Sequence, residues 1–233
     1  MVETSELYKS ILYNPLHYKE TKLEIAGVEY LESEIVSARI PPASLYEKFG
    51  IGSCVSHELD IEVFPIGEIP CQAQIKAFVR LVLGDQTSEW IPQGVFFVSI
   101  RRKNRVTGTL TIVAFDAMLK AEETWLTPDY DTENWPMSQA DAVADIAYRM
   151  GVEVDSRTVL SDDFPVDYPV DENGDLTMRE VLSGIAVSNA GNWVITNEGK
   201  LRLIGAASLP AETNYLVTNQ GQAITFGGVR ILV

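Results

Sequence analysis

The sequence predicts an α+β fold that is mainly β: an antiparallel barrel interrupted by a small α+β unit. Three observations predict it. Short segments in the first half alternate apolar and polar residues with a period of two. A proline-punctuated, strongly acidic stretch then breaks that texture, and two capped helical patterns lie within and just after it. The last residues return to alternation.

Residues 5–13 can form a short helix that Pro15 ends. From Thr21 the period is two, with Lys22–Ala26 and Val28–Leu31 flanking a turn at Gly27. Glu34–Ile40 is a further strand stopped by Pro41-Pro42, and Gly50, Gly52 and Ser53 mark a loop. His57–Phe64 has the cleanest alternation, with Leu59, Ile61 and Val63 on one face and Glu58, Asp60 and Glu62 on the other. Ile75–Leu83 repeats the pattern, and Gly84-Asp85-Gln86-Thr87 is turn chemistry. Glu89–Ile91 begins a return strand that Pro92 should break. Val95–Arg102 and Thr107–Phe115 read as a hairpin with the basic tip Arg101-Arg102-Lys103-Asn104-Arg105. Strands at this spacing fit a small barrel or sandwich.

After Asp116 the composition changes. Residues 122–175 carry 15 acids and only Arg149 and Arg157 as bases. Ser138 with Asp141 three residues on starts a helix that carries Val143, Ile146, Ala147 and Met150 and ends at Gly151. Thr177 with Glu180 is a capping box, followed by Val181, Leu182, Ile185 and Ala186, with Gly191 as the stop. Trp193–Ile195 and Lys200–Ile204 form a hairpin around Thr196-Asn197-Glu198-Gly199. The expected units are residues 1–118 with 206–233 as the barrel, and residues 119–205 as the inserted acidic α+β unit. The final alternation of Val229, Ile231 and Val233 fits completion of the first sheet, or a longer chain cut at this point.

The net charge of −15 is uneven: residues 1–118 hold 15 acids and 11 bases, residues 119–205 hold 17 acids and 6 bases. Such a balance argues against phosphate-backbone binding, which relies on Lys and Arg to release counterions. No stretch approaches the ~18 apolar residues of a membrane span. Acids at Glu3 and Glu6 stand where a signal peptide needs bases, so a protein made in a cytoplasm without its own secretion signal is expected. Cys54 and Cys71 are read as two reduced, packed thiols, with a disulfide between them geometrically possible but without a secretory context to support it.

Candidate chemistry is sparse. Cys54 and His57 lie three apart, but His57 opens a strand and no orienting third group is evident. Glu58, Asp60 and Glu62 lie ~6.8 Å apart along one strand face, overlapping the inverting-glycosidase separation, yet alternating acids ordinarily mark a solvated face. Asp171-Glu172-Asn173-Gly174-Asp175 begins like a calcium loop, but Leu176 and Leu182 occupy its glycine and glutamate positions. His17 and His57 are the only histidines, and neither sits in a ligand cluster. Arg101–Arg105 lacks interleaved aromatics and reads as a solvated tip or a contact to an acidic neighbour. No catalytic residue, cofactor or metal is therefore expected.

The wording of three stretches goes further. They are Ile51-Gly52-Ser53-Cys54 with Glu58-Leu59-Asp60-Ile61; Trp90-Ile91-Pro92-Gln93-Gly94-Val95-Phe96 with Gly108-Thr109-Leu110-Thr111-Ile112 and Phe115-Asp116-Ala117-Met118-Leu119-Lys120; and Thr177-Met178-Arg179-Glu180-Val181-Leu182 through Asn192-Trp193 to Gly199-Lys200-Leu201-Arg202-Leu203. In order and spacing the chain resembles the N-terminal part of bacteriophage tail hub proteins, including the tail-associated proteins of long-tailed phages and the baseplate hubs of contractile tails. The resemblance implies a tail-tube-like barrel and a non-enzymatic virion structural role at the tail tip or baseplate hub, joining the tail tube to the tip. It also implies a homotrimer around a central channel, with two barrels per subunit in the usual case and only one in this chain. The implied partners are tail-tube and distal tail proteins, with no membrane, and the implied location is a (pro)phage tail assembled in the bacterial cytoplasm. DNA would pass through without specific binding, and Glu58, Asp60 and Glu62 are the candidate channel-lining residues, since an acidic lumen repels DNA. The competing reading is a carbohydrate- or cell-surface-binding module, for which Trp125, Tyr130 and Trp135 are the nearest aromatic candidates.

Overall fold

The computed structural model describes residues 4–41, 50–126, 135–171, 174–205, 225–226 and 229–230. Helix α1 (Glu6–Leu12) starts at Ser5, whose hydroxyl accepts from the Tyr8 N–H, and presses Ile11 into the interior. Strand β1 (Tyr18–Ile25) turns at Ala26-Gly27, both at positive φ, into β2 (Val28–Tyr30). Two successive left-handed residues match the twist of a two-residue hairpin. Then come β3 (Ile35–Arg39), β4 (Glu58–Val63), β5 (Gln74–Leu83), the short β6 (Gln86–Thr87), β7 (Ile91–Lys103) and β8 (Leu110–Asp116).

These strands make one antiparallel sheet in the order β2-β1-β5-β7-β8-β4-β3, with β6 paired to β5. It curls into a nearly closed barrel of seven strands, and the fold is α+β and mainly β, as the alternation predicts. Its interior is filled by the inward residues of each strand, among them Leu23, Leu59, Ile61, Ile75, Phe96 and Ile112, all at 1% exposure or less.

Three local expectations change. Pro92 does not break a strand: it lies inside β7, where the register steps from Ala77↔Gly94 to Phe78↔Pro92 and leaves Gln93 as an extra residue. A bulge is one of the few places where a sheet tolerates a residue without an N–H. The return strand begins earlier than read, at Gln86, because the turn needs only Gly84-Asp85. The β7–β8 hairpin is also longer than expected. Arg101, Arg102 and Lys103 belong to β7, paired with Ile112, Thr111 and Leu110, and the loop begins at Asn104. The Asn104 side-chain oxygen accepts from the Val106 and Thr107 N–H groups, which shapes that loop.

A second core follows β8. Residues Ala117–Glu122 form a 3-10 turn capped by Asp116. Helix α2 (Gln139–Met150) is capped by Ser138 and ends at the left-handed Gly151. Val170–Asp171 (β9) pairs with Gly174–Asp175 (β10). Helix α3 (Met178–Ser188) carries both halves of the Thr177–Glu180 capping box. It ends at Asn189 rather than at Gly191, which instead opens β11 (Gly191–Ile195), the partner of β12 (Leu201–Gly205). Trp125, Ile146, Met150, Leu182 and Trp193, none of them exposed, form the centre of this core. Cys54, Ala117 and Met118, from earlier in the chain, pack into it too.

The segment before β4 clasps this second core. The Gly52 N–H donates to the Gly191 carbonyl, the Trp193 N–H to the Ser53 carbonyl, and Cys54 bridges Trp193 in parallel. Gly52 has φ +90°, and a Cβ there would come within 2.6 Å of a Val187 methyl, so both backbone and space require glycine. On the other side, Asn197 in the β11–β12 turn donates to the Pro92 carbonyl at 3.1 Å. Of the last segment, Thr225–Phe226 (β13) and Val229–Arg230 (β14) pair with each other. The expected return of residues 206–233 to the barrel otherwise lies outside the described residues.

Candidate functional site

Strand β4 sits between β3 and β8, with Leu59, Ile61 and Val63 buried in the barrel and Glu58, Asp60 and Glu62 half-buried on its other face. The structure thus brings the three acids together as their spacing predicts. Glu62 accepts from the hydroxyl of Thr109, itself buried, at 2.6 Å. Arg39 of β3 stands opposite Asp60, and Ser37 opposite Glu62. Glu58 is held above the usual carboxylate range, by desolvation first and by the Asp60 charge second. The face is acidic, but its carboxylates stand beside one another on one strand, not across a cleft.

Where β4 begins and β8 ends, the two cores meet at Asp116. Its side chain is only 4% exposed. One carboxylate oxygen accepts from the Ser56 hydroxyl at 2.8 Å and the Met118 N–H at 3.0 Å. The other accepts from the His57 N–H at 2.9 Å and lies 3.0 Å from His57 Nδ1. The Asp116 N–H in turn donates to the His57 carbonyl. His57 therefore belongs to a structural clasp and not to Cys54. The sequence carried no signal for this pair, because 59 residues separate them and only the β4–β8 pairing joins them.

Cys54 is buried, and burial pushes its thiol up to about 12, with the Arg179 charge opposing. Its carbonyl accepts from the Arg179 guanidinium, which also donates to the Met118 carbonyl and pairs with Glu122 at 2.7 Å. A thiol in that setting is a packing group. At pH 8 in the native state, Cys71, which is exposed, should react with iodoacetamide while Cys54 stays unmodified until the chain unfolds. Intact-mass measurement counts the labels, and equal labelling of both thiols would refute the packing role.

The aromatic candidates turn inward. Trp125 is fully buried, its indole N–H donating to Asp145 at 2.6 Å, and Trp135 packs edge-on against both Trp125 and Tyr168. Tyr130 lies outside the described residues. Among the described residues, no cluster of three or more His, Cys, Asp or Glu side chains is placed to hold a metal ion, and no helix is long and apolar enough to cross a membrane.

One further carboxylate is tuned. Asp155, 5% exposed, is held well below the usual carboxylate range, chiefly by hydrogen bonds from Arg157. A depressed folded-state pKa adds stability that is present above the unfolded value of ~3.9 and is lost as pH falls through the folded value. Asp155→Asn should therefore destabilise the chain at pH 7, and the difference from wild type should shrink as pH drops below ~3.9. Urea titrations at several pH values test this, and a gap that does not vary with pH would contradict it.

No known sequence family matches the chain, and no curated protein matches it by sequence. Solved structures do. One is the 43 kDa tail protein of prophage MuSo2 from Shewanella oneidensis, with TM-score 0.50 and 14% identity over 81% of this chain and 56% of that one. A second is a tail protein from Neisseria meningitidis MC58, with TM-score 0.51 and 13% identity over 83% and 53%. A third, prophage tail protein gp18 from Listeria monocytogenes EGD-e, aligns over 86% and 55% with TM-score 0.42 and 8% identity. The barrel with its α+β unit is thus a fold shared with the first two of these tail proteins, and this chain spans little more than half the length of each.

Proposed function

We propose that the chain is a structural, non-enzymatic component of a (pro)phage tail tip or baseplate hub, joining the tail tube to the tip and surrounding the DNA channel. The observation that carries this is the barrel fold shared, over four-fifths of the chain, with two tail proteins, one of them from a prophage. In this reading residues 1–118 and 206–233 form the tube-like unit, residues 119–205 the insertion, and copies associate, as a trimer, with tail-tube and distal tail proteins. Glu58, Asp60 and Glu62 face the channel, where half-buried carboxylates repel the DNA backbone and let it slide without specific binding. The protein is assembled in the bacterial cytoplasm and ends in the virion tail. The carbohydrate- or surface-binding alternative loses two of its three aromatic candidates, since Trp125 and Trp135 are used in packing.

Deleting the gene in frame from its lysogen and inducing should give particles without tails, or with tails lacking a tip, by negative-stain microscopy. Normal, infectious particles would overturn the proposal. Changing Glu58, Asp60 and Glu62 together to Lys should leave tail morphology intact and slow genome delivery. Unchanged delivery would remove these residues from the channel.

A further inference from the structure

Two features of the molecule are complementary to each other. The first is the tip of the β7–β8 hairpin. Every residue from Ser99 to Gly108 is exposed. Arg102, Lys103 and Arg105 have no acidic partner among the described residues, and Val106 at the end is 95% exposed. An apolar side chain at the point of a cationic finger has no role in the fold it projects from.

The second is a groove of about 280 Å³ between α3 and the strap 164–169. Phe164, Tyr168, Val181 and Ile185 line its walls, and Asp167 and Glu180 stand at its rim. A Cβ at Gly184 would meet nothing within 4 Å, so the α3 side of the groove stays open. Phe164 and Tyr168 remain 56% and 44% exposed, large aromatic area left in water beside an acidic rim. The groove lies within the stretch that holds most of the negative charge, 17 acids against 6 bases over residues 119–205.

We infer that the Arg102–Val106 hairpin tip of one copy docks into the acid-rimmed groove of a second copy, Val106 entering between Phe164, Tyr168 and Ile185 while Arg105 and its neighbours face Asp167 and Glu180. The occupant is argued from charge and shape together. The groove takes an apolar anchor flanked by cations, and among the described residues the tip supplies one. Because tip and groove are different surfaces, the contact is heterologous, the kind that closes into a ring when the rotation allows. It rests on the tail-hub reading in that it needs copies placed side by side, and it assigns the surfaces they use. Opposite charges at the rim set register and encounter rate, and the buried anchor sets lifetime.

Sedimentation velocity of the full chain over a concentration series tests it. Wild type should associate, and more weakly as salt is raised. Arg105→Glu and Asp167→Lys should each weaken association about tenfold or more, and the two combined in one chain should restore it. Gly184→Leu, which fills the groove on a helix and leaves the charge unchanged, should also weaken association while the circular dichroism spectrum stays that of wild type. Association unaffected by all three single changes would overturn the contact, as would a wild-type chain that is monomeric at every concentration. A monomeric wild type would also remove self-association of this chain from the proposed function, whereas the structural tail role stands or falls with the deletion experiment.

Discussion

Trp193→Ala should lower the stability of the chain by about 3–5 kcal/mol, the cost of emptying a large aromatic site in a close-packed core. Trp193 is completely buried, lies opposite Leu203 across the β11–β12 hairpin, and donates its indole N–H to the Leu182 carbonyl of α3 at 2.8 Å. Its backbone N–H donates to Ser53, so this residue joins helix, hairpin and the clasp segment before β4. Truncation leaves a cavity where those three elements meet. In a chain of this length such a loss lowers the melting temperature by roughly 10 °C. Far-ultraviolet circular dichroism is the suitable probe, since removing one of the four tryptophans also alters the fluorescence signal. A variant that melts with wild type would show that the second core does not depend on this site.

Asp116→Ala should cost at least about 3 kcal/mol, through donors left without an acceptor and not through lost volume. The Ser56 hydroxyl, the His57 N–H and ring, and the Met118 N–H all point at a carboxylate that is almost fully buried. The backbone N–H groups cannot turn away, and water has little access to them. Ser56→Ala, which removes a single bond, should cost only about 1 kcal/mol. Hydrogen exchange locates the effect: the His57 and Met118 amides should lose protection first in Asp116→Ala. Unchanged protection at both amides would mean that Asp116 does not hold the cores together.

Much of the local structure was legible because it depends on local rules. The alternation of Leu59, Ile61 and Val63 with Glu58, Asp60 and Glu62 assigns faces whatever the strand pairs with. The Ser138 cap and the Thr177–Glu180 box set their helix starts through bonds within three residues. Pro92 misled because its local meaning, a strand breaker, is cancelled by a bulge whose existence depends on the partner strand β5. Gly191 misled in the same way: it is required not by a helix end but by the β12 backbone, which comes within 2.9 Å of where its Cβ would be. The Arg101–Arg105 run was visible as charge, yet only the pairing with β8 separates the strand residues from the projecting tip.

What the sequence by itself determined is the set of elements, their buried faces, the mainly β class and the three acids on one strand face, because periodicity and capping act over a few residues. Which strands neighbour one another, the meeting of Asp116 with His57, the clasp of Gly52 on Gly191 and the groove beside α3 were decided by the tertiary structure. Asp116 and His57 are 59 positions apart and the segments joined at Ser53 and Asn192 are 139 apart, so their proximity is a property of the whole fold, which no local rule encodes.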